Sequence, residues 1–326
     1  MVTEDIGEPL SASPRSFIMT KAVSQAFTGH HLAWEKCEVI HRDVSGQNVL
    51  IVGNGGILND WDLAKFKWQL MDGRHHERTG TWQFMSSLLL MNKGKVHTIQ
   101  DDMESFFYVM LYHCIRYLPH KMTSRVELIL RHIFDYILTD TVGLNHGGHL
   151  KQLLILNLGR TPPFDGFEIT NNQPLNGWIS SAFDIFGEWL SAVLPKRRPD
   201  LEPDSLRGLK LFDHNYMAEL FKVALARADS EWPKDDKAVD YLCSSASSVV
   251  AMSVGSETRS TGSNSTGSGS KKRALGGDEV DDEEEGEEAG QSSSIKRSKT
   301  RKTGPTIPKT YTGSRSYHSS LTGEET

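Results

Sequence analysis

The stretch VIHRDVSGQNVLIVGNGGILNDWDLAKF, residues 39–66, sets a His-Arg-Asp, an Asn and two further Asp around one short apolar segment. Val49-Leu50-Ile51-Val52 and Ile57-Leu58 are strand-forming runs, and Gly53-Asn54-Gly55-Gly56 between them is turn sequence, so the pattern predicts a β-hairpin. A hairpin brings the chain back to where it left. Asp43 and Asn48 then lie at one mouth, with Asp60 emerging beside them. Carboxylate and amide oxygens converging on one spot suit a hard cation such as Mg²⁺, which takes one or two carboxylates together with phosphate oxygens. Taken singly, each of these residues is as well explained by capping of loop backbone. The combination is what points to a site.

Upstream, Ser13-Pro14 has the form of a helix start, with Ser as the cap and Pro at the first helical position. Met19, Val23, Phe27, His30 and Trp34 recur at helical spacing and predict an amphipathic helix that delivers the chain to Val39. Downstream, the polar run Lys65 to Gly80, with GRHHERTGT at 73–81, reads as a mobile loop. Its His75-His76 pair lacks further ligands at useful spacing and reads as solvated. Thr98 is placed to cap a helix in which Met103, Phe106, Phe107, Val109, Met110, Leu111, Ile115 and Leu118 leave no polar face, so that helix is expected at the centre of a domain. Further helices are predicted at 124–138, 178–194 and 213–230, while 141–175 carries no clear pattern.

The chain has 326 residues, a formal charge of −6 and a pI near 6.1, and only 37% of it is hydrophobic. Part of it is therefore expected to remain unfolded. Cys37, Cys114 and Cys243 are too scattered for a disulfide framework, which suits a reducing compartment. Residues 1–10 carry three acids and no apolar core, unlike a secretory signal, and charge interrupts the apolar runs well short of a membrane span. The expected organisation is a flexible leader (1–14), a folded region (15–235) and a disordered tail (236–326). In that tail nine acidic residues lie between Asp278 and Glu288, flanked by Lys271-Lys272-Arg273 and KRSKTRK at 296–302. The two basic clusters suit a nuclear import receptor, and the acidic run between them argues against nucleic acid as the partner. The expected location is nuclear, or nuclear and cytoplasmic.

His41-Arg42-Asp43, Asn48 and Asp60 resemble the catalytic and metal-binding loops of protein kinases. RTGTWQFMSSLLL (78–90) resembles the end of a kinase activation segment, and DDMESFFYVMLY (101–112) resembles the central large-lobe helix in its casein-kinase-1-like form. The four motifs together are similar to the fungal-type protein kinases. The fold this implies is mainly α, a kinase-like large lobe with a short β-hairpin at the active site. The resemblance implies Ser/Thr-type phosphoryl transfer from Mg-ATP to a protein. It gives Asp43 the substrate hydroxyl, with His41 and Arg42 in the same loop and Thr81 in contact with Asp43. It gives Asn48 and Asp60 the Mg²⁺ and nucleotide phosphates, Thr79 a regulatory phosphate facing Arg42, and Asp102 the support of the catalytic loop.

Several positions depart from the family pattern. Ser45 stands where a phosphate-clamping Lys is common, Asp62 replaces the Gly of Asp-Phe-Gly, and Leu88 replaces the acid that closes the activation segment with an ion pair. Forty residues precede His41, fewer than the roughly 60 that five strands and a helix occupy. The small lobe is therefore expected to come from another segment or a partner chain, with little Mg-ATP turnover by these 326 residues alone. Two alternatives compete: a small-molecule phosphotransferase of the aminoglycoside or choline kinase kind, which Asp60-Trp61-Asp62 suits, and a non-catalytic pseudokinase scaffold.

Overall fold

Met19, Val23, Phe27 and His30, predicted to share one helix face, are all buried on helix α1 (Ser16–Cys37), and Trp34 is half-buried against the same core. The computed structural model describes residues 7–70, 79–194 and 206–243, which lie in one unit of the chain, Met1–Thr261. The expected helix start at Ser13-Pro14 moves to Ser16. The free N–H of the first turn finds its acceptor far away in sequence: Ser16 N–H donates to Asp236 Oδ1 (3.2 Å), while Ser13 Oγ donates to the Arg15 carbonyl (2.8 Å).

Residues 8–9, expected within a flexible leader, form strand β1 (Glu8–Pro9), and Leu10 behind them is fully buried. Strand β2 (Val39–Ile40) leads into the predicted hairpin of β3 (Val49–Val52) and β4 (Gly55–Leu58). Its register pairs Val49 with Leu58 and Val52 with Gly55, so the turn is the two residues Gly53-Asn54 and both following glycines belong to β4. Gly53 supplies the positive φ (57°) of the turn. A Cβ on Gly56 would lie 2.3 Å from the Ala22 carbonyl oxygen, so glycine lets β4 rest directly on the α1 backbone. β1 completes a three-stranded antiparallel sheet through β3. The loop expected from Lys65 begins as β5 (Lys65–Phe66), paired with β2, and the short helix α2 (Lys67–Leu70). Residues 71–78, with Arg74, His75, His76 and Arg78, lie outside the described residues.

After α3 (Ser87–Met91) comes α4 (Ile99–Tyr117), the helix without a polar face. Met103, Phe106, Phe107, Val109, Met110, Leu111, Cys114 and Ile115 are all fully buried there. Asp101 accepts from both the N–H (2.8 Å) and the hydroxyl (3.0 Å) of Thr98 and closes the first turn of α4. The predicted helix at 124–138 is shorter, α5 (Val126–Ile133), and a small hairpin of β6 (Leu138–Thr139) and β7 (Asn145–His146) follows. The unpatterned stretch 141–175 contains α6 (His149–Leu156). α7 (Gln173–Val193) starts earlier than predicted because Asn172 caps it, its side chain accepting from Leu175 N–H (3.1 Å). Phe183 and Phe186 of α7 pack on Phe107 with ring centroids 5.1 Å apart. α8 (Asn215–Leu225) packs on α1 and α7, with Phe221 against Phe27 (5.7 Å) and Trp178 (5.0 Å). The described chain is thus mainly helical, with small antiparallel sheets, of which the β1–β3–β4 and β2–β5 sheets lie beside α1.

The expected tail boundary at 236 falls too early. Asp236 is buried, Val239 N–H donates to Tyr117 O (3.0 Å), and Arg116 of α4 forms a two-pronged pair with Asp240 (3.0 and 2.7 Å). Residues 244–326, with the acidic run and both basic clusters, lie outside the described residues. No helix among the described residues is long and apolar enough to cross a membrane.

Candidate active site

Between β2 and β3 the chain makes a tight loop, His41 to Asn48, whose backbone hangs on one buried carboxylate. Asp102, in the first turn of α4, accepts from His41 N–H (2.9 Å) and from Arg42 N–H (3.1 and 3.2 Å). Arg42 adopts a positive φ of 72°, a conformation that a side chain favours only under such restraint. Two histidines complete the shell of Asp102: His30 Nε2 from α1 (2.9 Å) and His97 Nε2 from the turn before α4 (2.7 Å). His30 Nδ1 and His214 Nε2 share one proton across 2.9 Å, and the His31 ring stacks on His214. Burial by itself would raise the Asp102 carboxyl. His97 and His30 outweigh it and hold the group well below the ordinary carboxylate range.

The rest of the loop is built on that anchor. His41 Nδ1 accepts from Asp43 N–H (3.3 Å) and its Nε2 donates to Asn59 O (2.9 Å), which fixes the neutral tautomer. Burial pushes its pKa down in the same sense. Trp61 meets the His41 ring edge-on at 4.6 Å. Asp43 Oδ1 accepts from both the N–H (2.7 Å) and the hydroxyl (2.9 Å) of Thr81. Asn48 Nδ2 donates to the Asp43 carbonyl (2.8 Å), with a longer contact to Oδ2 (3.4 Å). A Cβ on Gly80, at φ 119°, would come within 2.8 Å of Arg42 O, so glycine is what lets the 79–81 segment lie on the loop.

The fold therefore joins His41, Arg42, Asp43, Asn48, Thr81 and Asp102 in one hydrogen-bonded set. Asp60 is linked to it through its neighbour, since Asn59 N–H donates to Asn48 O (2.8 Å). The Asp60 carboxylate is exposed, at φ 59°, and bonds to none of the described residues. Arg42 Nη1 donates to Leu63 O (3.3 Å), and Thr79 Oγ1 is buried without a hydrogen-bond partner among the described residues. Ser45 is buried and accepts from Asn48 N–H (3.3 Å), so it shapes the loop.

The donor set fits Mg²⁺. Asn48 Nδ2 faces the Asp43 carbonyl and so turns Oδ1 away, and Asp60, one residue past the Asn59 that bonds Asn48 O, carries an exposed carboxylate: two hard oxygen donors. No cluster of three or more His, Cys, Asp or Glu able to hold a metal occurs among the described residues, so phosphate and water oxygens would have to complete the coordination.

Sequence reasoning missed the partners of this machinery. His30 entered only as a position on a helix face, and nothing marked His97 or His214. At Leu88, where the usual acid is missing, other groups hold the segment. Ser86 Oγ donates to Asp101 (2.6 Å), Ser87 N–H donates to Glu104 (2.7 Å), and the Lys151 ammonium reaches the same stretch from α6. A family model described as fungal protein kinase matches residues 1–114, which carry α1, the hairpin, the 79–86 segment and most of α4. No curated protein matches the chain.

Proposed function

We propose, from the premise that residues 1–114 are assigned to the fungal protein kinase family, that this site serves transfer of the γ-phosphoryl group of Mg-ATP to a Ser or Thr hydroxyl of a protein, within a kinase-like large lobe. The observation that carries the reading is the pair of hydrogen bonds from Thr81 to Asp43 Oδ1 (2.7 and 2.9 Å). They occupy one carboxylate oxygen and set the plane of the group. Oδ2, with only the 3.4 Å Asn48 contact among the described residues, is left to accept and orient a hydroxyl. An ordinary carboxylate is a weak base at neutral pH, so orientation is its main contribution. Asn48 and Asp60 would hold the Mg²⁺, which when bound neutralises phosphate charge.

Arg42 and Thr79 belong to the same proposal as a regulatory pair. A phosphate on Thr79 would offer Arg42 charge-assisted hydrogen bonds. Because Thr79 Oγ1 is buried, the segment has to open before it is modified.

The test is transfer of isotope-labelled phosphate from Mg-ATP by the protein, alone and with a kinase small lobe supplied, the second form being expected to carry the transfer and Asp43→Ala and Asp60→Ala to abolish it. Transfer to choline or an aminoglycoside in place of protein, or Mg-ATP binding without any transfer, overturns the reading in favour of a small-molecule phosphotransferase or a scaffold.

A further inference from the structure

Lys151 lies on α6, far in sequence from every motif of the site, and its side chain is only 1% exposed. Its ammonium donates to three main-chain carbonyls of one short stretch: Gln83 O (2.7 Å), Met85 O (2.7 Å) and Trp82 O (3.4 Å). The face of the Tyr108 ring lies 4.3 Å away, and no carboxylate of the described residues pairs with it directly. A buried ammonium without a counter-ion is costly. Here three donors meet three acceptors, the one arrangement in which –NH₃⁺ is fully used.

The stretch it holds begins one residue after Thr81. The Phe84 and Met85 N–H groups donate back to Thr81 O (2.9 and 3.1 Å), so the turn whose carbonyls Lys151 gathers is the turn that carries Thr81. We infer that Lys151 is a positioning residue: it holds the 82–85 main chain, and through it keeps Thr81 on Asp43. Ser87 and Glu104 fix the far end of the same segment, and Lys151 the near end, where the family pattern would use one ion pair at Leu88. The catalytic meaning of this role rests on the phosphoryl-transfer reading above. The mechanical role does not.

Hydrogen–deuterium exchange of the full chain tests it without nucleotide. Lys151→Met keeps the volume and removes the donors. Protection of a peptide covering 81–87 is expected to fall at least tenfold, while a peptide within α7 (173–193) keeps its protection. A residue that serves only overall stability would lower both. Unchanged protection at 81–87, or equal loss in both peptides, overturns the inference.

If the variant does not fold, the wild type decides. The groups facing Lys151 are Glu104 and Tyr108 from α4, Phe134 and Asp135 after α5, and the three carbonyls. Burial lowers the ammonium to about 7 against the pull of Glu104 and Asp135. Protection of 81–87, corrected for the intrinsic rate, is then expected to fall as pH rises past neutrality, and a flat profile overturns the role. Where transfer is measurable, Lys151→Met is expected to lower kcat about 100-fold, the scale of a roughly 1 Å misplacement, with KM for Mg-ATP unchanged. Absence of transfer in the wild type even with a kinase small lobe supplied would count against the phosphoryl-transfer reading and leave the exchange result standing.

Discussion

At the scale of single residues, Asp102 is where separate parts of the chain meet. Its two oxygens take donors from α1, from the His41–Arg42 backbone and from the turn before α4. Among the described residues the His41 and Arg42 backbone N–H groups are met by Asp102, so Asp102→Ala removes their acceptor. The expected cost is about 3–5 kcal/mol, read from chemical denaturation, in the range for breaking one side of a buried charged network. Asp102→Asn is expected to fall short of rescue, because its NH₂ would face donors. Thr79 is the opposite case. Its buried hydroxyl has no partner among the described residues, so the isosteric Thr79→Val is expected to leave the denaturation midpoint unchanged or raise it.

At the scale of elements, α1, α4 and α8 are joined by polar as well as apolar contacts, and the polar ones respond to pH. His214, before α8, is buried, and burial with the nearby His30 and His31 lowers its pKa to about 2. His113 of α4 is lowered by burial to about 4. Both are neutral in the folded chain and take up a proton on unfolding once the pH drops below the ordinary histidine value of about 6.5. The unfolded state binds more protons in that window, so stability is lost as the pH falls from about 6.5 towards 4 and below. Asp102, held low in the fold, adds loss in the same direction at still lower pH. The denaturation midpoint is expected to be clearly lower at about pH 5 than at about pH 7, and His214→Gln is expected to shrink that difference.

At the scale of the whole molecule, the described residues and the C-terminal stretch 244–326 carry different information. For that stretch we propose a nuclear address: a fluorescent fusion of residues 265–305 is expected to accumulate in the nucleus, and an even distribution through the cell would remove the proposal. In the described residues, the sequence alone determined what depends on a few neighbouring residues. Turn chemistry at Gly53-Asn54 set the hairpin, the lack of a polar face on 103–118 made α4 central, and short spacing brought Asp43 and Asn48 to the hairpin mouth with Asp60 following β4. These are consequences of local dihedral preference and of side-chain periodicity. Only the tertiary structure decided where α1 begins, since its first N–H is met by Asp236, 220 residues away. Only it chose His30, His97 and His214 to surround and extend from Asp102, and Lys151 to hold a segment 66 residues upstream at Met85. A buried donor or acceptor must be satisfied, but residue type does not say by whom. That partner is settled by which helices pack together, and packing is a property of the assembled core, beyond any short window of sequence.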